Sequence, residues 1–238
     1  MQYLGGKSRI APKIAPVIAQ EERSTLVEPF IGGAGAFNTL APMFDRVEAF
    51  DIHEDLILMY QALQEGWEPP TEVSKDEYYL YKNSPPSPTR GFVGFGCSFG
   101  GKWFAGYAKN KKGDNYAARS ARSLEKTASI LRGHPNVSVE RSDYRDIRVN
   151  DPESTVIYCD PPYEGTTKYS TSFDSSIFWE WAKERAKEGA VVYVSEYSGP
   201  PEFLVSTFQT RRSLNKSDNK RIASEKLFRI DNHSMEIK

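Results

Sequence analysis

Short apolar runs alternate along this chain with stretches whose apolar residues recur every three or four positions. The runs at 26–31, 47–50, 136–140, 155–159 and 190–194 predict strands. Helical spacing places Ile10, Ile14, Val17 and Ile18 on one face, with Ser8 as a candidate cap, and Leu56, Met59, Tyr60 and Leu63 on another. An apolar helix runs to about Met43, residues 115–132 suit a helix ending near Gly133, and 176–188 suit one with Ile177, Trp181 and Ala182 inward. The tail alternates weakly, so 208–214 and 226–230 are expected to pair as an antiparallel hairpin across the polar stretch 216–224. Strands alternating with helices predict an α/β domain with a mostly parallel sheet.

From about Gly66 the texture changes. Glu68-Pro69-Pro70 and Ser84-Pro85-Pro86-Ser87-Pro88 bracket a short tyrosine-rich helix at 76–82. Aromatics then alternate with glycines from Arg90 to Tyr107, and a basic segment follows directly. Residues 66–132 therefore read as an insert in a parent domain made of 1–65 and 133–238.

Net charge is −1, so the whole chain announces no polyanion partner. The distribution is less even. Residues 102–132 hold eight basic residues against Asp114 and Glu125, a local excess of six. Glycine admits close backbone approach, aromatics wedge or stack against bases, and Lys and Arg meet phosphate. Arg90, Lys102, Lys109, Lys111, Lys112, Arg119 and Arg122 are the candidate nucleic-acid contacts. No apolar run is long enough to span a membrane, and the start is polar and glycine-rich, so a cytoplasmic protein is expected. Cys97 and Cys159 are too few for a disulfide framework, and with His53, His134 and His233 scattered no metal site is expected.

Three constellations carry chemistry. The strand at 155–159 runs into Asp160-Pro161-Pro162-Tyr163. Fixed φ at each proline and the extended bias before it make a stiff corner at the carboxyl end of a strand, where α/β folds bind ligands. A carboxylate, the Pro161 carbonyl and a ring suit a planar group bearing an NH2, such as adenine or cytosine. The strand at 26–31 enters the bend Gly32-Gly33-Ala34-Gly35, where glycine allows positive φ and close approach to a ligand. Its spacing is not the dinucleotide fingerprint. The next strand ends at Asp51, which can accept from two ribose hydroxyls. This combination argues for a mononucleoside-like cofactor, with S-adenosylmethionine the obvious candidate. Lys7, after Gly5-Gly6 and before a helix, can share an anion with backbone N–H groups.

The order Tyr3-Leu4-Gly5-Gly6-Lys7, Glu28-Pro29-Phe30-Ile31-Gly32-Gly33-Ala34-Gly35, Asp51-Ile52 and Asp160-Pro161-Pro162-Tyr163 resembles the adenine-specific N6 DNA methyltransferases, the class of the bacterial DNA adenine methylase and its phage relatives. Tyr stands at position 3 where the bacterial enzyme has Trp, and His at 53 where Asn is usual. The resemblance implies a Rossmann-like methyltransferase fold, S-adenosylmethionine as cofactor and double-stranded DNA as partner, with 66–132 as the target-recognition insert. Lys7 and the backbone of Gly32, Gly33 and Gly35 would hold the methionine end, and Asp51 the ribose. Tyr3, Glu28, Pro29, Phe30 and Ile52 belong to the cofactor motifs, and Asp143 and Tyr144 would border the cofactor's adenine. Asp160 would serve cofactor and target amine alike, and Tyr163 would stack on a flipped base. The same corner fits cytosine N4 or an RNA base, and a catalytically silent DNA-binding protein is a further alternative. The early glycine-lysine segment and the place of the insert favour adenine in DNA.

Overall fold

The computed structural model describes residues 1–109, 115–162, 173–211 and 222–236. In chain order its regular elements are α1 (Ala11–Ile18), β1 (Thr25–Glu28), α2 (Phe37–Leu40), β2 (Arg46–Asp51), α3 (Glu54–Gln64), α4 (Lys75–Lys82), α5 (Pro88–Gly96), α6 (Tyr116–Gly133), β3 (Val137–Arg141), β4 (Thr155–Cys159), α7 (Ser175–Lys187), β5 (Val191–Glu196), β6 (Leu204–Arg211), β7 (Ile222–Ile230) and α8 (Asn232–Glu236). The strands form one sheet in the order β3-β2-β1-β4-β5-β7-β6. Pairings from β3 through β5 are parallel, and β7 runs antiparallel to both β5 and β6. This is the mostly parallel Rossmann-like sheet with an antiparallel terminal hairpin that the sequence led us to expect.

The parallel strands are apolar on both faces because helices cover both. On one face Leu26, Val47, Val156 and Tyr193 join α1, α3 and α6 in a single core; on the other Val27, Ile157, Val192 and Val194 pack against Phe178, Trp181 and Ala182 of α7. Leu56, Met59, Tyr60 and Leu63 are all buried, as their spacing required. The chain reverses its order next to β1, which pairs β2 on one side and β4 on the other. The carboxyl ends of β1, β2, β4 and β5 therefore open at one edge around a topological switch point.

Three expectations are corrected here. Ser8 does not cap α1; Ile10 occupies the cap position without a side-chain bond, and a proline in the first turn removes one N–H that would need a partner. Ile177 is half-exposed, while Trp181 and Ala182 are inward as expected, together with Phe178, Trp179 and Ala186. Part of the glycine-aromatic stretch is core rather than open stacking surface, although Phe99 is two-thirds exposed. Its first part, Arg90 to Gly96, belongs to α5, with Phe92 and Phe95 fully buried; Phe104, further on, is nearly so. Its glycines serve helix packing. A Cβ at Gly91 would stand 2.2 Å from the Asp55 carbonyl oxygen of α3, and one at Gly94 would stand 2.2 Å from Trp103.

Segment 66–132 shares the core of the sheet: Tyr78, Phe92, Phe95, Leu124 and Leu131 bury in the same cluster as β1 and β2. Arg90 helps tie it down. Its guanidinium pairs with buried Asp55 at 2.7 Å, donates to the Tyr81 carbonyl and lies 5.1 Å from the Trp103 ring. Arg90→Ala would leave the Asp55 carboxylate buried without its cation, a change that costs roughly 3–5 kcal/mol. The expected result is a lowered melting temperature in a calorimetric scan.

Candidate active site

The carboxyl ends of the strands surround a cavity of about 1010 Å³. Every predicted cofactor residue lines it: Tyr3, Lys7, Glu28, Pro29, Phe30, Gly32, Gly33, Gly35, Asp51, Ile52, Asp143, Tyr144 and Asp160. Pro161 and Pro162 line it as well, so the rigid corner after β4 and the glycine bend after β1 share one space. Tyr163 lies outside the described residues, as do Lys111 and Lys112.

The glycine bend has a local cause. Gly32 has φ +46°, and a Cβ there would come within 3.0 Å of the Tyr3 ring. A Cβ at Gly33 would stand 2.4 Å from Tyr3 Cβ, and one at Gly35 2.6 Å from the Lys7 backbone nitrogen. The close approach that these glycines permit is to the segment 3–8, which lies across the bend. Gly101 holds it from the other side: its carbonyl accepts from the Leu4 N–H, and a Cβ there would meet the Tyr3 nitrogen at 2.7 Å. Gly35→Ala is expected to displace segment 5–8, with a stability loss of about 1–3 kcal/mol. Thermal unfolding and cofactor titration of that variant measure the effect.

Lys7 is buried, and its ammonium is fully committed. Nζ lies 2.7 Å from Asp160 Oδ1 and 3.2 Å from Glu225 Oε1, and it donates to the Gly5 carbonyl at 3.1 Å. Three acceptors use the three N–H bonds of a lysine. These contacts tie Lys7 to Asp160, a hold that the expectation of a grip on the cofactor's methionine end did not include. Burial alone would lower the Lys7 pKa, but the charges of Asp160 and Glu225 outweigh it and hold the ammonium above its ordinary value.

Carboxylates crowd the strand ends. Glu28 is buried, and its Oε2 has no hydrogen-bond partner; burial first and the charge of Asp160 second push its pKa well above the usual range. Asp51 accepts from the Gly32 N–H at 3.0 Å and the His53 N–H at 2.9 Å, yet burial pushes it up to about 6. Glu196, at the end of β5, is pushed up to about 7, again mainly by burial. A buried, uncompensated carboxylate set suits a ligand carrying positive charge.

A stability consequence follows from Asp51 and Glu196. Both folded pKa values exceed the unfolded ones, so the folded chain holds protons that the unfolded chain has lost between about pH 4 and pH 7. Stability without ligand falls as pH rises through that window. The melting temperature is expected to be higher at about pH 5.5 than at about pH 7.5, and to fall again below about pH 4, where carboxyls such as Asp143, held down by Arg145, take up protons.

The far wall is aromatic. Phe30, Tyr144 and Phe173 pack together, with Phe30 and Tyr144 ring centroids 5.5 Å apart, and Ile52 and half-exposed Ile177 also face the cavity. Asp143 is engaged by Arg145 through contacts of 2.6 and 2.9 Å. His53 sets its ring edge-on to Trp103 at 4.3 Å, and burial lowers its pKa, so it lines the cavity as a neutral ring. Phe173, Asp174, Ile177 and Tyr197 were missed by sequence reading. Tyr197 could have been nominated, since it follows the carboxyl end of a recognised strand. Ile177 carried a misleading signal, because helical spacing counted it as core.

The candidate nucleic-acid residues divide. Lys102 lines the cavity, Lys109 is exposed, and Arg119 and Arg122 are exposed on α6; Arg90 is turned into the fold. Among the described residues no group of three or more His, Cys, Asp or Glu could hold a metal ion, and no helix is long and apolar enough to cross a membrane.

Comparison with known proteins adds the family. The model of the family described as D12 class N6 adenine-specific DNA methyltransferase matches residues 3–92 and 102–230. No curated protein matches. Among solved structures, Thermoplasma acidophilum 1320 is similar at 13% identity and TM-score 0.45, covering 94% of this chain and 89% of its own. An rRNA methylase from Streptococcus thermophilus is similar at 13% identity and TM-score 0.42, covering 94% of this chain and 98% of its own. SMU.1697c from Streptococcus mutans, solved in complex with SAH, is similar at 12% identity and TM-score 0.42, covering 93% and 98%. These likenesses bear on neither substrate nor mechanism. The family match spans most of the chain and contains the cavity's motifs, and the chain accordingly belongs to the D12 class N6 adenine-specific DNA methyltransferase family: it is a methyltransferase enzyme, with S-adenosylmethionine as its cofactor.

Proposed function

We propose that this chain methylates N6 of adenine in double-stranded DNA, acting on a base turned out of the helix. The observation that carries the reading is the shared cavity of the Asp160-Pro161-Pro162 corner and the Gly32–Gly35 bend, within a chain of this family. An amino group presented at the corner and a donor lodged over the bend would lie in one space.

The residues present fit the cofactor. Glu28, with a buried oxygen that has no partner, and Asp51, whose carboxylate has lone pairs beyond its two backbone bonds, suit its ammonium and ribose hydroxyls. Ile52, Phe30 and Tyr144 offer apolar surface for its adenine. Bound there, the cofactor supplies a methyl group already activated as an electrophile on sulfonium sulfur.

The rest falls to the protein. Adenine N6 is a poor nucleophile because its lone pair is delocalised into the ring. The Asp160 carboxylate and the Pro161 carbonyl would accept its two hydrogens, which favours a pyramidal nitrogen with a localised lone pair. Positive charge grows on that nitrogen as the methyl arrives, and a preorganised carboxylate stabilises it in proportion. Fixed in-line placement supplies much of the remaining rate. The methylated nitrogen is acidic, so its proton leaves to a carboxylate or to water. Turning the base out costs a few kcal/mol of lost stacking, partly regained on an aromatic ring such as Tyr163. Phe99, two-thirds exposed at the turn before Lys102, is available to the DNA.

Labelled-methyl transfer to unmethylated duplex DNA, followed by nucleoside analysis of the product, tests the reading. N6-methyladenine is expected. N4-methylcytosine, transfer to RNA alone, or no transfer by folded enzyme would overturn it.

A further inference from the structure

Glu225 is a carboxylate buried within a strand, 5% exposed, where sheet pairing requires no charge. Its position in the fold gives it a task. Glu225 Oε1 lies 3.2 Å from Lys7 Nζ, which lies 2.7 Å from Asp160 Oδ1. The three side chains come from the first turn, from β7 and from the end of β4, and β5 lies between β4 and β7 in the sheet. Lys7 thus bridges across a whole strand, buried at its Glu225 end and partly exposed at its Asp160 end.

The charges matter as much as the geometry. An ammonium beside a single carboxylate cancels its field, and a cancelled Asp160 would be a weak acceptor for an amine that is becoming cationic. A second carboxylate on the far side of Lys7 divides that ammonium between two partners. With both carboxylates ionised the three formal charges sum to −1, so Asp160 would keep its pull on the amine hydrogens while its direction is fixed. We propose that Glu225 is a positioning residue for methyl transfer: it draws Lys7 to a set place between β7 and the catalytic corner, so that Lys7 aims Asp160 without quenching it. This rests on the reading of Asp160 as acceptor of the target amine.

The test compares wild type, Glu225→Gln, Lys7→Met, the double variant and Asp160→Asn. For each, single-turnover methyl transfer, KM for DNA and for S-adenosylmethionine, and the melting temperature are measured. Glu225→Gln keeps the shape and removes the charge. It is expected to lower the transfer rate tenfold or more while both KM values stay within about threefold. A general loss of packing would not produce that split. In the Lys7→Met background the same change is expected to alter the rate less than twofold, because Glu225 acts through Lys7. A wild-type rate in folded Glu225→Gln, or an equal loss in both backgrounds, overturns the inference. Retained activity in Asp160→Asn instead overturns the reading of the corner, whatever Glu225 does. If Glu225→Gln shows no cooperative unfolding, Glu225→Asp replaces it: the charge stays but withdraws from Lys7, a reduced rate at unchanged KM is expected, and a wild-type rate counts against the proposal.

Discussion

Asp160→Asn is expected to slow methyl transfer by about a thousandfold while leaving the fold close to wild type. The substitution preserves shape. It replaces a carboxylate that accepts on both oxygens with an amide that must present a donor on one side, and it removes the negative charge that faces the amine. Loss of one preorganised electrostatic contact typically costs 10²–10³ in turnover, and loss of the full charge places the expected effect at the upper end, about 4 kcal/mol in the barrier. Lys7 keeps Glu225 and the Gly5 carbonyl as acceptors, so the corner is not left with an orphaned cation. Labelled-methyl transfer under single turnover, beside calorimetric titration of S-adenosylhomocysteine, separates chemistry from binding. A rate within tenfold of wild type would remove Asp160 from the mechanism.

The second large effect concerns salt. Lys102, Lys109, Arg119, Arg122 and Lys126 are five described basic residues of the segment taken to face a phosphate backbone. Five phosphate contacts give a slope near −4.5 in a plot of log affinity against log salt, or roughly 500-fold weaker binding at 200 mM than at 50 mM. Replacing Arg119 and Arg122 together by Ala should lower the slope by about two. Fluorescence anisotropy with a short duplex measures both. A flat response would mean that α6 faces away from the nucleic acid.

Much of the site was legible because strand ends carry ligands in this kind of sheet. The runs at 26–31, 47–50 and 155–159 pointed to their own carboxyl ends, and Glu28, Asp51 and Asp160 stand there. Helical spacing found Leu56, Met59, Tyr60 and Leu63 for the same reason: one buried stripe leaves one periodicity. The misses also have physical causes. The contacts of Lys7 with Asp160 and Glu225 were not legible, because they arrive through tertiary packing. The stretch Gly91 to Gly96 was read as a place where backbone and rings approach bases, because packing a helix against α3 and packing backbone against a base both call for glycine. Arg90 counted toward a basic surface, although a cation six residues beyond Ser84 at the base of a helix can equally serve a buried acid. Charge in a sequence does not say which side of the surface it will occupy.

The bridge from Lys7 to Glu225 also has a consequence for biosynthesis. The ribosome releases Lys7 long before Glu225, which lies in β7, the last strand described. Until β7 emerges, Lys7 faces Asp160 without its second partner and the sheet lacks the strand that pairs with β5. A nascent chain can bury much of its hydrophobic interior before then, yet its catalytic apparatus matures only once β7 has joined the sheet. Contacts so distant in sequence also make for slow acquisition of activity on refolding.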